Sequence, residues 1–294
     1  MSNMDKDLDS LSPATALRQD TDRRGFMKVA LGTGFAAAAM PVMAQNAIRT
    51  DAAGLTVGEV MVKVNGYNVP VYRAQPAGKT GLPVVLVISE IFGVHEYIAD
   101  VARRFARQGY LALAPELFAR QGDPTSYGTM AELLREVISK VPDEQVMADL
   151  DGVMAWARDN GGNTKKAGIT GFCWGGRITW LYCGHNPQMK AGVSWYGRVV
   201  GDKTALTPRQ PVDIAAGLKV PVLGLYGGKD SGIPLASVEQ MKAALAQGSS
   251  GSQFVVYPNA PHAFHADYRP SYVEADARDG WEKALGWFRK HGVS

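Results

Sequence analysis

From residue 57 onward the hydrophobic positions alternate between two periods. Val57–Val64 and Tyr67–Ala74 read as strands on either side of Asn65-Gly66, a strong hairpin signal. Leu82–Ser89 is a continuous apolar run, as in a strand buried on both faces. Tyr97, Ile98, Val101, Ala102, Phe105 and Ala106 then form a helical stripe that Gly109 ends. Tyr110–Ala114 is the next strand. Met130–Ser139 and Asp143–Asp159 read as helices separated by Pro142. The pattern continues with strand Lys166–Gly171, helix Gly175–Cys183, and strands Lys190–Tyr196 and Val220–Tyr226. Helix Leu235–Gln247, strand Gln253–Tyr257 and a long helix Tyr272–Lys290 complete the chain. Strands alternating with helices predict an α/β fold with a mostly parallel central sheet flanked by helices on both faces. No linker or repeat divides residues 45–294, so one domain is expected there.

The first 44 residues follow a different rule. Asp22-Arg23-Arg24-Gly25-Phe26-Met27-Lys28 precedes an uncharged, Ala- and Gly-rich run from Val29 to Ile48. Val42-Met43-Ala44 then offers small residues for a cut ahead of Gln45. A basic region, a mild apolar region and a small-residue site make an export signal. The paired arginines followed by Phe26 and Lys28 are those of a twin-arginine signal, which delivers folded cargo outside the cytoplasm, to the periplasm. Gly32, Gly34 and Pro41 argue against a permanent membrane span. The twin-arginine machinery is thus the expected macromolecular partner, with no stable membrane association after cleavage.

Composition narrows the function classes. The 294-residue chain is 46% hydrophobic, as a protein with a real core should be. Its 31 Lys+Arg against 28 Asp+Glu leave a net charge of +3, too balanced for a nucleic-acid footprint. The two cysteines, Cys173 and Cys183, rule out a disulfide scaffold and a four-cysteine zinc site. Ten residues apart in one helix, they would lie roughly 15 Å from each other, so both are expected as free thiols. No metal-ligand spacing and no phosphate loop occurs, so neither a metal nor a bound nucleotide is expected.

The chemistry concentrates at Gly171-Phe172-Cys173-Trp174-Gly175-Gly176, between a predicted strand and a predicted helix. This is a glycine-flanked elbow with cysteine at the nucleophile position. Glycines let the chain turn sharply, and the following helix N-terminus favours a thiolate. An acid and a histidine follow in the order such a site requires. Asp230 comes just after strand Val220–Tyr226. His262 follows the last strand, with His265 as the competing base. His95 could face the same cleft, whereas His185 and His291 fall at helix ends.

Residues 57–290 resemble the dienelactone hydrolase (carboxymethylenebutenolidase) family of the α/β-hydrolase fold. The resemblance is carried by Glu90-Ile91-Phe92-Gly93, the elbow, and Pro261-His262-Ala263-Phe264. It implies Cys173 as nucleophile, His262 as base and Asp230 as orienting acid. It also implies Glu90 as the glutamate controlling cysteine ionisation, and the N–H groups of Ile91 and Trp174 as the oxyanion hole. The implied substrates are small lactones or activated esters, with no cofactor. Arg120 matches one of two arginines that hold the substrate carboxylate in dienelactone-specific members. The second would fall at position 266, here Ala266; Arg269 lies three residues on. Three other classes stay open: a peptidase or acyltransferase on the same fold, a non-catalytic binding protein, and a thiol redox protein.

The N-terminal pattern yields a first test. Replacing Arg23 and Arg24 by lysine should stop periplasmic delivery in cell fractionation, and N-terminal sequencing of the delivered protein should begin near Gln45. Unchanged delivery of the double variant would overturn the routing.

Overall fold

The structure, a computed structural model, describes residues 47–294. The signal-like segment, with Arg23-Arg24 and the cut after Ala44, lies outside the described residues. Eight strands form one sheet in the order β1-β2-β4-β3-β5-β6-β7-β8. They are β1 (Leu55–Val64), β2 (Tyr67–Pro76), β3 (Leu82–Ile88), β4 (Leu111–Pro115), β5 (Gly162–Phe172), β6 (Ala191–Trp195), β7 (Val222–Gly227) and β8 (Gln253–Tyr257). β1 and β2 pair antiparallel, as do β2 and β4; every other neighbour is parallel. Asn65 (φ 49°) and Gly66 (φ 82°) make the β1–β2 turn with the left-handed pair that matches the twist of a hairpin.

The helices are α1 (Glu96–Arg107), α2 (Met130–Glu136), α3 (Asp143–Asp159), α4 (Trp174–His185), α5 (Pro211–Ile214), α6 (Leu235–Leu245) and α7 (Glu274–Lys290). α1 and α7 share one face of the sheet, joined by Phe105 against Trp281 at 4.5 Å between ring centroids. α3 and α4 share the other, joined by Arg177 to Asp143 and Tyr182 to Asp151. Between them Val84–Ile88 are completely buried, as their continuous apolar run predicts. Two boundaries differ from the sequence expectation by three residues or more. The helix expected to reach Ser139 stops at Glu136 and tightens into a 3₁₀ turn over Ile138–Lys140. β5 begins at Gly162 rather than Lys166, because its polar start still pairs with Leu82 and Pro83 before the register shifts at Val84.

A buried ionic cluster fastens the chain's first described residues to α1. Asp100, 1% exposed, accepts from Thr50 N at 2.5 Å, from Arg103 Nη2 at 3.1 Å and from Arg104 Nε at 2.6 Å. Arg103 Nε returns a bond to Thr50 O at 2.8 Å, and Arg104 Nη2 reaches Asp267 Oδ2 at 2.5 Å. Breaking a buried pair strands its partner's charge and costs about 3–5 kcal/mol. Asp100→Asn should therefore lower unfolding free energy by roughly that amount in urea titration. Limited proteolysis of the variant should open the chain first near residues 47–51.

Candidate active site

The candidate residues fall where the strands end at their C-terminal edge, the usual place for ligands in such sheets. Glu90 follows β3, Cys173 follows β5, Asp230 follows β7, and His262 follows β8. Cys173 sits at φ 54°, ψ −113°, directly before α4. A non-glycine residue held there carries strain of about 1–3 kcal/mol, which persists only where its surroundings dictate it. They do. A Cβ on Gly171 would lie 2.1 Å from Gly175 O, and one on Gly175 would lie 2.4 Å from Ile88 O. Only glycines allow β5, α4 and the end of β3 to approach this closely.

His262 Nδ1 bonds Asp230 Oδ2 at 2.7 Å, with both residues buried. The other carboxylate oxygen accepts from Gly232 N at 2.9 Å and Ile233 N at 3.0 Å, which fixes its orientation. Burial alone would push the His262 imidazole down. Neighbouring Cys173 and Asp230 outweigh burial and hold it well above its usual range. Cys173 itself is half-buried. Cys183 is inside the core, where burial pushes its thiol up; both cysteines are free. His265 belongs to the packing. Its Nδ1 meets Tyr97 OH at 2.6 Å, its ring stacks on Phe172 at 5.3 Å, and burial with nearby Arg104 pushes it well down.

Glu90, just past β3, is completely buried. Its Oε2 accepts from Tyr268 OH at 2.7 Å, and its Oε1 stands 3.7 Å from Arg269 Nη1. Arg269 lies over the rings of Phe92 and Tyr268, at 5.4 and 5.9 Å from their centroids. His95 also reaches the cleft, edge-on to Tyr268 at 5.0 Å, and burial pushes it down to about 4. Trp174 opens α4, so its N–H has no intrahelical acceptor. The Ile91 N–H likewise enters no backbone bond among the described residues. Below the Ile91 loop the buried Glu116 carboxylate accepts from Val94 N at 2.7 Å. Sequence reasoning passed over Glu116, Tyr268 and Tyr196. The one available cue was that Tyr268 and Arg269 closely follow the histidine.

A model of the dienelactone hydrolase family matches residues 69–292. The chain belongs to the dienelactone hydrolase family. It is a hydrolase of the dienelactone hydrolase type, with that family's mixed α/β architecture. A Methylorubrum extorquens protein named "Putative carboxymethylenebutenolidase" is 55% identical over 295 residues, covering the whole of both chains. An Escherichia coli K12 protein of the same name is 52% identical over 261 residues, 88% of this chain and 96% of its own. Among solved structures, a Klebsiella pneumoniae protein described as a "Putative Dienelactone Hydrolase" superposes with a TM-score of 0.79 at 54% identity. That match covers 80% of this chain and 99% of the Klebsiella chain.

The structure does not bring Arg120 to Cys173, His262 and Asp230. Its guanidinium closes on Asp149 of α3 through Nη1 and through Nη2, the latter at 2.8 Å, and sits 4.4 Å over the Tyr67 ring. Asp149 is completely buried. The physical reason is that a bidentate carboxylate on the facing helix satisfies the guanidinium fork before any substrate can. Arg120→Ala should therefore cost about 3–5 kcal/mol of stability by stranding Asp149. Its kcat/KM should fall by one common factor for a carboxylate-bearing lactone and a neutral ester. A selective loss on the acidic substrate, measured on the folded fraction, would return Arg120 to substrate reading.

Proposed function

We propose that this enzyme hydrolyses small lactones and activated esters through a thioester on Cys173. The observation that carries the reading is the strained cysteine on the elbow, coupled to the buried His262–Asp230 pair. Cys173 attacks the carbonyl, and the N–H groups of Ile91 and Trp174 receive the oxyanion. One such donor is typically worth about 3 kcal/mol. His262 then activates water to release the acid, oriented throughout by Asp230. Glu90 governs the charge around the sulfur. A thiolate suits activated esters and lactones, whose leaving groups depart readily, better than amides. No cofactor enters the scheme.

Carboxymethylenebutenolidase, the name borne by the relatives, acts on a lactone that carries a carboxylate. In this chain Ala266 supplies no charge, and Arg120 is engaged by Asp149. Arg269 lies beside Glu90 and in electrostatic reach of Cys173, where its charge favours an acidic substrate. The N-terminal pattern supports delivery of the enzyme to the periplasm.

The test is a hydrolysis screen with cis- and trans-dienelactone and neutral esters on four variants. Cys173→Ala and His262→Ala should each lower kcat by about a thousandfold or more, as for other nucleophile–base pairs. Cys183→Ala should stay near wild type. His265→Ala should lose stability rather than chemistry, because it breaks the bond to Tyr97. An inactive Cys183→Ala with an active Cys173→Ala would overturn the assignment.

A further inference from the structure

Among the described residues four non-glycines occupy the left-handed region: Asn65, Cys173, Tyr196 and Ala263. Asn65 belongs to the hairpin turn. The other three surround the site, and Tyr196 has had no role so far. It follows β6 at φ 39°, with its N–H donating to Leu225 O at 2.8 Å. Its ring stands edge-on to His262 at 5.1 Å and to Phe264 at 5.4 Å. Packing alone would be served by phenylalanine. The hydroxyl is what needs explaining: it is buried beside Tyr97, yet makes no hydrogen bond of regular geometry among the described residues. Orphaned polar groups of this kind are rare in native interiors.

Two acceptors of the site also lack a regular hydrogen bond: Glu90 Oε1, which meets Arg269 Nη1 only at 3.7 Å, and His262 Nε2, which has Cys173 as its neighbour. Tyr196 lies in electrostatic reach of Glu90, and burial pushes its phenol well up, so it remains a donor. Acylation removes the Cys173 charge that favours the imidazolium, and with Nδ1–H given to Asp230 the neutral His262 presents a lone pair at Nε2. Glu90 Oε1 is an acceptor. One donor and two acceptors are the complement of a single water molecule, which accepts one bond and donates two.

We infer that Tyr196 is a further catalytic residue, whose hydroxyl, together with Glu90 Oε1 and His262 Nε2, holds the water that hydrolyses the Cys173 thioester. This rests on the thioester reading above. The water oxygen bonds to the thioester carbonyl carbon while its proton passes to His262 Nε2. The tetrahedral adduct collapses with cleavage of the C–S bond, whose electron pair returns to sulfur. The carboxylic acid leaves, and a Cys173 thiolate remains beside the His262 imidazolium. The hydroxyl acts on this second half of the cycle, since the first half needs no water.

The experiment compares wild type with Tyr196→Phe, using p-nitrophenyl acetate in rapid mixing. Nitrophenolate release reports acylation, and mass spectrometry of quenched samples reports the acetyl group on Cys173. Tyr196→Phe should keep its unfolding midpoint and its acylation rate. Its thioester should decay about tenfold more slowly, as for one lost hydrogen bond to the reacting water. Added hydroxylamine, a stronger nucleophile than water, should restore turnover more in the variant than in wild type. Equal slowing of both steps, or an unchanged decay, would make Tyr196 a packing residue and overturn the inference. A wild-type enzyme that never carries acetyl on Cys173 would instead bring down the thioester reading, and the inference with it.

Discussion

Everything at the site depends on how closely one backbone can pass another at the elbow. β5 must stop, reverse and enter α4 within a few residues, while the end of β3 lies against the same turn. Side chains at Gly171 or Gly175 would overlap main-chain atoms of the neighbouring segments. That closeness forces Cys173 into the left-handed region and fixes its side chain at the strand edge. The position of the Cys173 Cβ, from which the sulfur projects, is therefore set by main-chain packing. Gly176 extends the same contact to Gly197, just beyond β6, and so ties the turn to the segment that begins with Tyr196.

Around this rigid point the charges are arranged in two shells with different duties. Asp230, Glu90 and Arg269 surround Cys173 and His262 and are held by hydrogen bonds or ring faces rather than by bulk water. Farther out, Asp100, Arg103, Arg104 and Asp267 neutralise each other beneath α1. Asp267 directly precedes Tyr268 and Arg269, so the outer cluster anchors the chain that delivers the inner one. Arg120 and Asp149 form a third pair that is purely internal.

Much of this was legible in the residues themselves. Asn65-Gly66 marks its turn because the left-handed pair suits few other residues. Leu82–Ser89 announces a strand buried on both faces because nothing polar interrupts it. The elbow glycines and the order Cys173, Asp230, His262 locate the candidate site. Other features depend on partners distant in the chain. Nothing beside Arg120 tells that Asp149, on a helix across the sheet edge, satisfies its guanidinium. The polar opening of β5 is extended because Leu82 and Pro83 offer it a ladder, not because of its own composition. Tyr196 looks like any aromatic at a strand end until its backbone angle and orphaned hydroxyl are seen.

The strand order also has a kinetic meaning. β3 lies between β4 and β5, and the sheet grows outward from it in both directions, so β8 joins at the far edge and last in sequence. His262 follows β8, whereas Cys173 follows β5. Parallel pairings between strands far apart in sequence form slowly, because each closes a long loop before it gains contacts. While β8 is undocked, Cys173 lacks the His262 imidazole and is an ordinary thiol of low reactivity. Under the proposed thioester mechanism, the nascent chain thus carries a dormant nucleophile whose reactivity arises together with the completed fold.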